Sequence, residues 1–134
     1  MNIMVGVDHP AVAVADVEGF ADWCCRVLEY RKVCRLEKPV WILHASDGTL
    51  LEVMPRDDTP RPARTTWTPG WSHLALRVKD LDEAAAILKG RGVEFAGPAT
   101  EAAGGGRVRN FTDPEGNLWQ IVERPPDFVG IRKG

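Results

Sequence analysis

The chain has 134 residues, 44% hydrophobic and 27% charged, ordinary usage for one globular domain or for two half-domains that share a core. Its 17 Lys and Arg against 19 Asp and Glu, with a pI near 5.9, leave no basic footprint for nucleic acid and no acidic tail. No apolar stretch approaches membrane-spanning length and no positive leader precedes an apolar run, so a soluble cytoplasmic protein is expected. Cys24 and Cys25 are adjacent and Cys34 stands alone. Without a CxxC spacing they read as reduced, partly buried thiols.

In chain order, Ile3, Val5, Val7, His9, Ala11 and Ala13 share one face of an alternating strand. Asp16 is suited to cap a helix over 16–29, whose apolar stripe is Val17, Phe20, Cys24, Val27 and Leu28. Three short strands are expected at 31–37, 40–45 and 49–54, with Ser46-Asp47-Gly48 turning into the last. Residues 57–69, polar and proline-rich, read as a linker. Trp71, His73, Ala75 and Arg77 then share a strand face, with Leu74, Leu76 and Val78 on the other. Asp80 and Glu83 form a capping box for a helix at 81–89, striped by Leu81, Ala84, Ala85 and Leu88 and closed by Gly90 and Gly92. Strands follow at 93–96, 107–112 and 118–123, with Asp113 to Asn117 as the turn before the last. Gly104-Gly105-Gly106 reads as a flexible loop and not a phosphate cradle, since no helix start follows it. Pro125-Pro126 should end the sheet.

The two halves repeat. VDHPAVAVADV at 7–17 matches WSHLALRVKDL at 71–81, aligning His9 with His73 and Asp16 with Asp80. DGTLLEVMPR at 47–56 matches EGNLWQIVER at 115–124, aligning Gly48 with Gly116, Glu52 with Gln120 and Arg56 with Arg124. Two segments matching in the same order, with the length change absorbed in a glycine loop, indicate tandem βαβββ copies. The parts are 1–56, a linker at 57–69, 70–124 and a tail at 125–134.

Glu52 sits between Leu50 and Met54 on its strand face, and Gln120 between Leu118 and Val122. A polar group at the same place in both copies needs a partner, because burying it unpaired is costly. Singly, each histidine reads as hydrogen-bonded locally and Glu52 as paired with an arginine. Together, His9, Glu52, His73 and Gln120 occupy equivalent positions, and a two-fold arrangement of the copies would gather them around one point. Two imidazoles and oxygen donors suit Zn, Ni, Co, Fe or Mn, with the remaining positions left to water or substrate. His44 aligns with Thr112, has no symmetry partner, and reads as a solvated or core histidine. Trp71 shares the face of His73 and could wall a cleft, whereas Trp119 reads as core. Arg35, Arg107 and Arg109 read as solvated strand-edge charges before anion-binding groups.

SHLALRVKDLDEA at 72–84 and FTDPEGNLWQIVE at 111–123 resemble the opening strand and helix and the closing hairpin of the vicinal oxygen chelate superfamily. That group holds glyoxalase I, methylmalonyl-CoA epimerase, extradiol dioxygenases, and fosfomycin and bleomycin resistance proteins. The resemblance spans about 3–56 and 70–124. It implies an α+β fold in which the two βαβββ modules form a curved mixed-sheet cleft. It also implies a divalent metal held by His9, Glu52, His73 and Gln120, from the first and last strands of each module. Gln120 departs from the pattern, since metal-dependent members most often carry Glu there; the glutamine ligand of the epimerases belongs to the first module. Two neutral histidines, one amide and one carboxylate leave about one positive charge on the metal, which favours an anionic oxygen ligand. Glu52 is then ligand or general base, and only Glu52 can take a proton in a glyoxalase-type isomerisation. The function expected is a glyoxalase-like lyase, isomerase or dioxygenase acting on a small oxygenated molecule. The alternative is a metal-free protein of the bleomycin-resistance kind that sequesters a small molecule. A homodimer is expected, with the cleft inside one chain or across the dimer, and no nucleic-acid or membrane partner.

Overall fold

A computed structural model of the chain describes residues 2–128. Contacts divide it into two compact units, one ending at Arg61 and the other beginning at Pro62. The first contains β1 (Ala11–Val14), α1 (Val17–Leu28), β2 (Arg31–Arg35), β3 (Trp41–His44) and β4 (Leu50–Pro55). The second contains β5 (Leu74–Arg77), α2 (Leu81–Gly90), β6 (Thr100–Glu101), β7 (Arg107–Thr112) and β8 (Leu118–Glu123). Each unit is one four-stranded mixed sheet, ordered β1-β4-β3-β2 and β5-β8-β7-β6. The first strand of each runs parallel to the last, and the other pairs are antiparallel. The fold is therefore α+β, built as βαβββ twice. Among the described residues no helix is long and apolar enough to cross a membrane.

The helices form where caps and stripes coincide. Asp16 Oδ1 accepts from the Gly19 amide and Asp80 Oδ1 from the Glu83 amide, each at 2.9 Å, satisfying orphan donors of the first turn. The buried face of α1 is Val17, Phe20, Ala21, Cys24 and Val27; that of α2 is Leu81, Ala85 and Leu88. Against α1 lie Val14, Leu43, Leu51 and Val53, and against α2 lie Phe111, Trp119 and Ile121, all buried. Each such side chain contributes about 1.5–3 kcal/mol, more than the helix propensities at stake. The α2 stop is set by Gly92 at φ 94. Its amide donates to Lys89 O and the Val93 amide to Leu88 O, both at 3.0 Å, the paired closure that a left-handed residue permits.

Three expectations need correction. The alternating strand from Ile3 is shorter than its pattern: β1 begins at Ala11, and residues 2–10 lie outside any strand, with Ile3, Val5 and Val7 80%, 105% and 89% exposed. Its partner runs out, because Ala11 pairs with Glu52 and the chain before Leu50 is the turn in which Ala45 N–H donates to Thr49 O. The strand at 93–96 shrinks to a bridge between Phe95 and Phe111, and the edge strand is Thr100–Glu101. Pro98 lacks an amide donor, and the Arg109 guanidinium draws the Gly97 carbonyl aside at 2.9 and 3.1 Å. The Gly104–Gly106 segment is a built turn: Ala102 N–H donates to Gly106 O and Gly105 N–H to Ala102 O, both at 3.0 Å. A Cβ on Gly106 would lie 1.9 Å from Glu123 O at φ +97, so only glycine fits there.

The turn into β8 is organised by Asp113, a buried carboxylate. It accepts from Glu115 N at 2.9 Å, Asn117 N at 3.0 Å, Asn117 Nδ2 at 2.8 Å and Trp119 Nε1 at 2.8 Å. The Trp119 ring stacks on Phe111 at 6.3 Å. Asp113→Ala would strand the buried indole N–H together with the turn amides, and should cost on the order of 3 kcal/mol. Chemical denaturation measures it; a loss below that of an exposed-site alanine control would mean that water replaces the carboxylate without penalty.

Candidate functional site

In both sheets one face packs on the helix; the other is open around Glu52 in the first sheet, and in the second carries Gln120 beside a small buried cluster of Ala102, Val108 and Val122. Along β4, Leu51 and Val53 are buried, Leu50 and Glu52 half-buried and Met54 exposed. Residues directly opposite in adjacent strands share a face. Ala11 and Ile42 therefore flank Glu52 on the open face. In the second sheet Ala75 and Asn110 flank Gln120 in the same way. The two units thus present Glu52 and Gln120 at the same lattice point of equivalent sheets. The small side chains of Ala11 and Ala75 leave the space beside them clear.

His9 precedes β1. Its neighbour Pro10 offers the carbonyl that accepts from the Glu52 amide at 3.0 Å, which ties this segment to β4. His9 Nε2 lies 2.9 Å from Glu52 Oε2 and Nδ1 lies 2.7 Å from Asp8 Oδ1. An ionised carboxylate only accepts, so Nδ1–H donates to Asp8. The contact between Nε2 and Glu52 must then be closed by a proton or by another cation. In the metal-free chain the proton serves, and the His9 pKa is raised above 6.5. The hydrogen bond to Asp8 is the largest cause, partial desolvation opposes it, and the charges of Asp8 and Glu52 add to it. The side chains of His9 and Glu52 are 35% and 26% exposed, so a ligand can reach them.

This pair fits a divalent ion. Adjacent ligands about an octahedral ion at roughly 2.1 Å stand about 3 Å apart, the spacing that His9 and Glu52 already keep. Asp8 supplies the carboxylate that metal-bound histidines usually carry on the other nitrogen. Among the described residues no three His, Cys, Asp or Glu side chains gather into a metal-holding group.

In the second unit His73 is exposed and precedes β5. Its Nδ1 lies 2.9 Å from Ser72 Oγ, and that hydroxyl donates its one hydrogen to Thr66 O at 2.9 Å. Ser72 Oγ therefore accepts from Nδ1–H, and Nε2 of the neutral ring carries the lone pair. The structure brings His9 and Glu52 into contact. For His73 and Gln120 it establishes matching strand positions. His44 lies on the open face of the first sheet opposite Leu50, and its Nδ1 accepts from Arg31 Nη2 at 3.3 Å.

Asp8 and Ser72 are the residues that sequence reasoning misses. Neighbours on a strand point to opposite faces, so an aspartate or serine just before a histidine reads as facing away from it. Both lie ahead of their strands, where that alternation does not hold. The available signal was their coincidence in the repeat, a polar residue before the histidine in both copies. The other candidates have local partners. Arg35 bonds Glu18 at 2.8 Å, Arg107 bridges Asp82 and Glu123, and Arg109 holds Gly97 O and lies over the Phe95 ring. Trp71 is 97% exposed and Trp119 is core, while all three cysteines are free thiols.

The sequence model of the Glyoxalase/Bleomycin resistance protein/Dioxygenase superfamily matches residues 6–121. No curated protein matches the chain. Among solved structures, a superfamily member from Sphaerobacter thermophilus DSM 20745 superposes with TM-score 0.75 at 24% identity, covering 92% of this chain and 100% of that one. TioX from Micromonospora sp. ML1 gives 0.68 at 20% identity, covering 90% and 99%. A variant of the fosfomycin resistance protein FosX from Listeria monocytogenes, complexed with Mn(II) and 1S,2S-dihydroxypropylphosphonic acid, gives 0.70 at 17% identity, covering 93% and 94%.

The raised His9 pKa fixes a pH dependence. A group whose folded value lies above its unfolded 6.5 stabilises fully below 6.5, and that contribution is lost as pH rises through the folded value. In the metal-free chain, NMR titration should place His9 above 6.5 and Asp8→Asn should bring it down. The stability gap between the two proteins should narrow as pH rises. A His9 value at or below 6.5 would contradict the assignment.

Proposed function

The chain belongs to the Glyoxalase/Bleomycin resistance protein/Dioxygenase superfamily, and from that premise we propose that it is a metal-dependent enzyme acting on a small, anionic, oxygenated molecule. The donors of that reading are His9, Glu52, His73 and Gln120, gathered within a chain or across a homodimer. The observation that carries the reading is the 2.9 Å contact of His9 Nε2 with Glu52 Oε2, with His73 and Gln120 at the aligned positions of the second copy. The FosX neighbour, with Mn(II) and a phosphonic acid in its crystal, supports the same class of ligand.

A divalent metal bound there would act as a Lewis acid on a substrate oxygen. His9 and His73 hold it through neutral Nε2 atoms. Gln120 supplies an amide oxygen without charge, so the donor set carries the single negative charge of Glu52 and leaves room for an anionic ligand. Glu52 is also the one proton acceptor among the four donors, and at 26% exposure it can change partners. A proton removed from carbon beside the bound oxygen would go to Glu52 Oε and return from it, the balance of an isomerase or lyase. With Glu52 kept as ligand throughout, the set suits a dioxygenase.

Metal analysis and calorimetric titration of the purified protein with Zn(II) and Mn(II) test the donor set. His9→Ala and His73→Ala should each lower metal content sharply, and His44→Ala should not. Equal loss from His44→Ala would mean that a different histidine serves the ion. Binding of a small anion by protein that takes up no metal would make the chain a metal-free small-molecule binder. A further expectation concerns charge. Gln120→Glu should tighten metal binding and weaken binding of anionic substrate analogues. Unit charges about 4 Å apart interact by up to about 4 kcal/mol at an effective dielectric near 20. Solvent screening of half-exposed groups reduces that to on the order of 1 kcal/mol. If neither affinity moved, Gln120 would lie beyond ligand distance and the set would be His9, Glu52 and His73.

A further inference from the structure

Each of the three histidines of the chain meets a fixed partner at Nδ1, and His9 meets a second, Glu52 Oε2, 2.9 Å from its Nε2. Asp8 takes the Nδ1–H of His9 at 2.7 Å, and Ser72, its hydroxyl hydrogen committed to Thr66 O at 2.9 Å, takes the Nδ1–H of His73 at 2.9 Å. At His44 the partner of Nδ1 is a donor instead. A guanidinium has donors only, so Arg31 Nη2 at 3.3 Å occupies the Nδ1 lone pair of His44, and the neutral ring carries its hydrogen on Nε2. Asp8 and Ser72 stand at the same place in the two repeats, and each acts on the histidine that follows it. Arg31 acts across the β2–β3 pair, where Arg31 and His44 are in register.

We infer that Asp8 and Ser72 are positioning residues that hold His9 and His73 as Nδ1–H tautomers with the Nε2 lone pair left for the ion, Asp8 at 2.7 Å lying nearer to the His9 ring than Glu52 Oε2 at 2.9 Å, while Arg31 locks His44 in the tautomer that cannot serve. The purpose of this arrangement rests on the metal reading above, but the tautomers exist and can be read without metal. A neutral imidazole presents one lone pair, and which nitrogen bears it depends on the hydrogen bond at the other. An unconstrained ring divides between the two forms and turns freely. An acceptor on Nδ1 removes both freedoms before the ion arrives, which is where such partners gain their effect on affinity. The segment 65–68 extends the device in the second unit. Thr65 N–H donates to Thr68 Oγ1 at 2.9 Å, and Arg64 Nη2 donates to Trp71 O at 2.7 Å, which folds the chain so that Thr66 O meets Ser72.

Long-range proton–nitrogen correlation spectra of isotope-labelled, metal-free protein, taken above the His9 pKa, report the tautomers directly. His9 and His73 should appear as Nδ1–H and His44 as Nε2–H. Asp8→Ala should turn His9 to the Nε2–H form, Glu52 being the acceptor that remains, and Ser72→Ala should turn His73 to a mixture, each weakening Zn(II) binding by about 10–100-fold. Asp8→Asn and Ser72→Thr keep an acceptor and should keep the tautomer. If the alanine variants retained Nδ1–H, or bound Zn(II) as tightly as the parent, the inference would be overturned. If the parent bound no Zn(II) or Mn(II) while the spectra followed this pattern, the tautomer assignment would stand and the metal reading would fail.

Discussion

Parallel pairing of the first strand of each unit to its last is the constraint on which everything else rests. It sets Ala11 beside Glu52 and Ala75 beside Gln120, so residues from opposite ends of a βαβββ unit become neighbours on one sheet face. Closing so long a loop costs chain entropy, and the cost is met on the other face, where α1 and α2 bury their apolar stripes. Stability and chemistry are thereby divided by the pleat. Leu51, Val53, Trp119 and Ile121 point into the cores, and the residues between them, Glu52 and Gln120, point out.

The duplicated geometry carries unequal charge. The first unit aligns Asp8, His9 and Glu52, and the second aligns Ser72, His73 and Gln120. Every aspartate or glutamate in the first series is replaced in the second by a neutral group that keeps an oxygen at the corresponding place. In the proposed site, one carboxylate and one amide would leave a divalent ion more charge than a symmetric pair of carboxylates would, which favours an anion. The copies keep the positions and diverge in charge.

The fold was legible because repetition, capping and alternation agree. Asp16 and Asp80 cap as their positions require, the helices run within a residue or two of their stripes, and β3, β4, β7 and β8 lie where turn chemistry puts them. Legibility failed where local pattern met tertiary supply. Ile3, Val5 and Val7 alternate like a strand, but β4 offers no further backbone to pair with them. Phe95 fits a strand, but Pro98 and the pull of Arg109 on Gly97 break the edge there. Three consecutive glycines look loose, yet all three take a positive φ and Gly106 also lies against Glu123 O, where no Cβ fits. For the site, repeat equivalence identified His9, Glu52, His73 and Gln120 as residues to watch, and the contact of His9 with Glu52 follows from the strand pairing. Asp8 and Ser72 were harder to read, showing only as a polar residue before the histidine in both copies, because their role depends on the chain lying outside strand geometry there.

Register makes the remaining connection between core and site. Because side chains alternate with a period of two, a one-residue slip of β8 would turn Gln120 inward and Trp119 outward. Asp113 opposes that slip: by binding the Trp119 indole and the Asn117 backbone at once, it fixes where β8 begins and which face Trp119 takes. The first unit has no such buried carboxylate at the aligned position, which is Ala45. Its turn is held by Asp47, which bonds the amide and hydroxyl of Thr49 at 3.0 and 2.7 Å in an exposed setting. The register of β4 is held instead by Pro10 O on the Glu52 amide and by the apolar anchors Leu51 and Val53. Gln120 thus sits on the strand whose turn is locked by a buried carboxylate, and Glu52 on a strand whose turn is open to solvent.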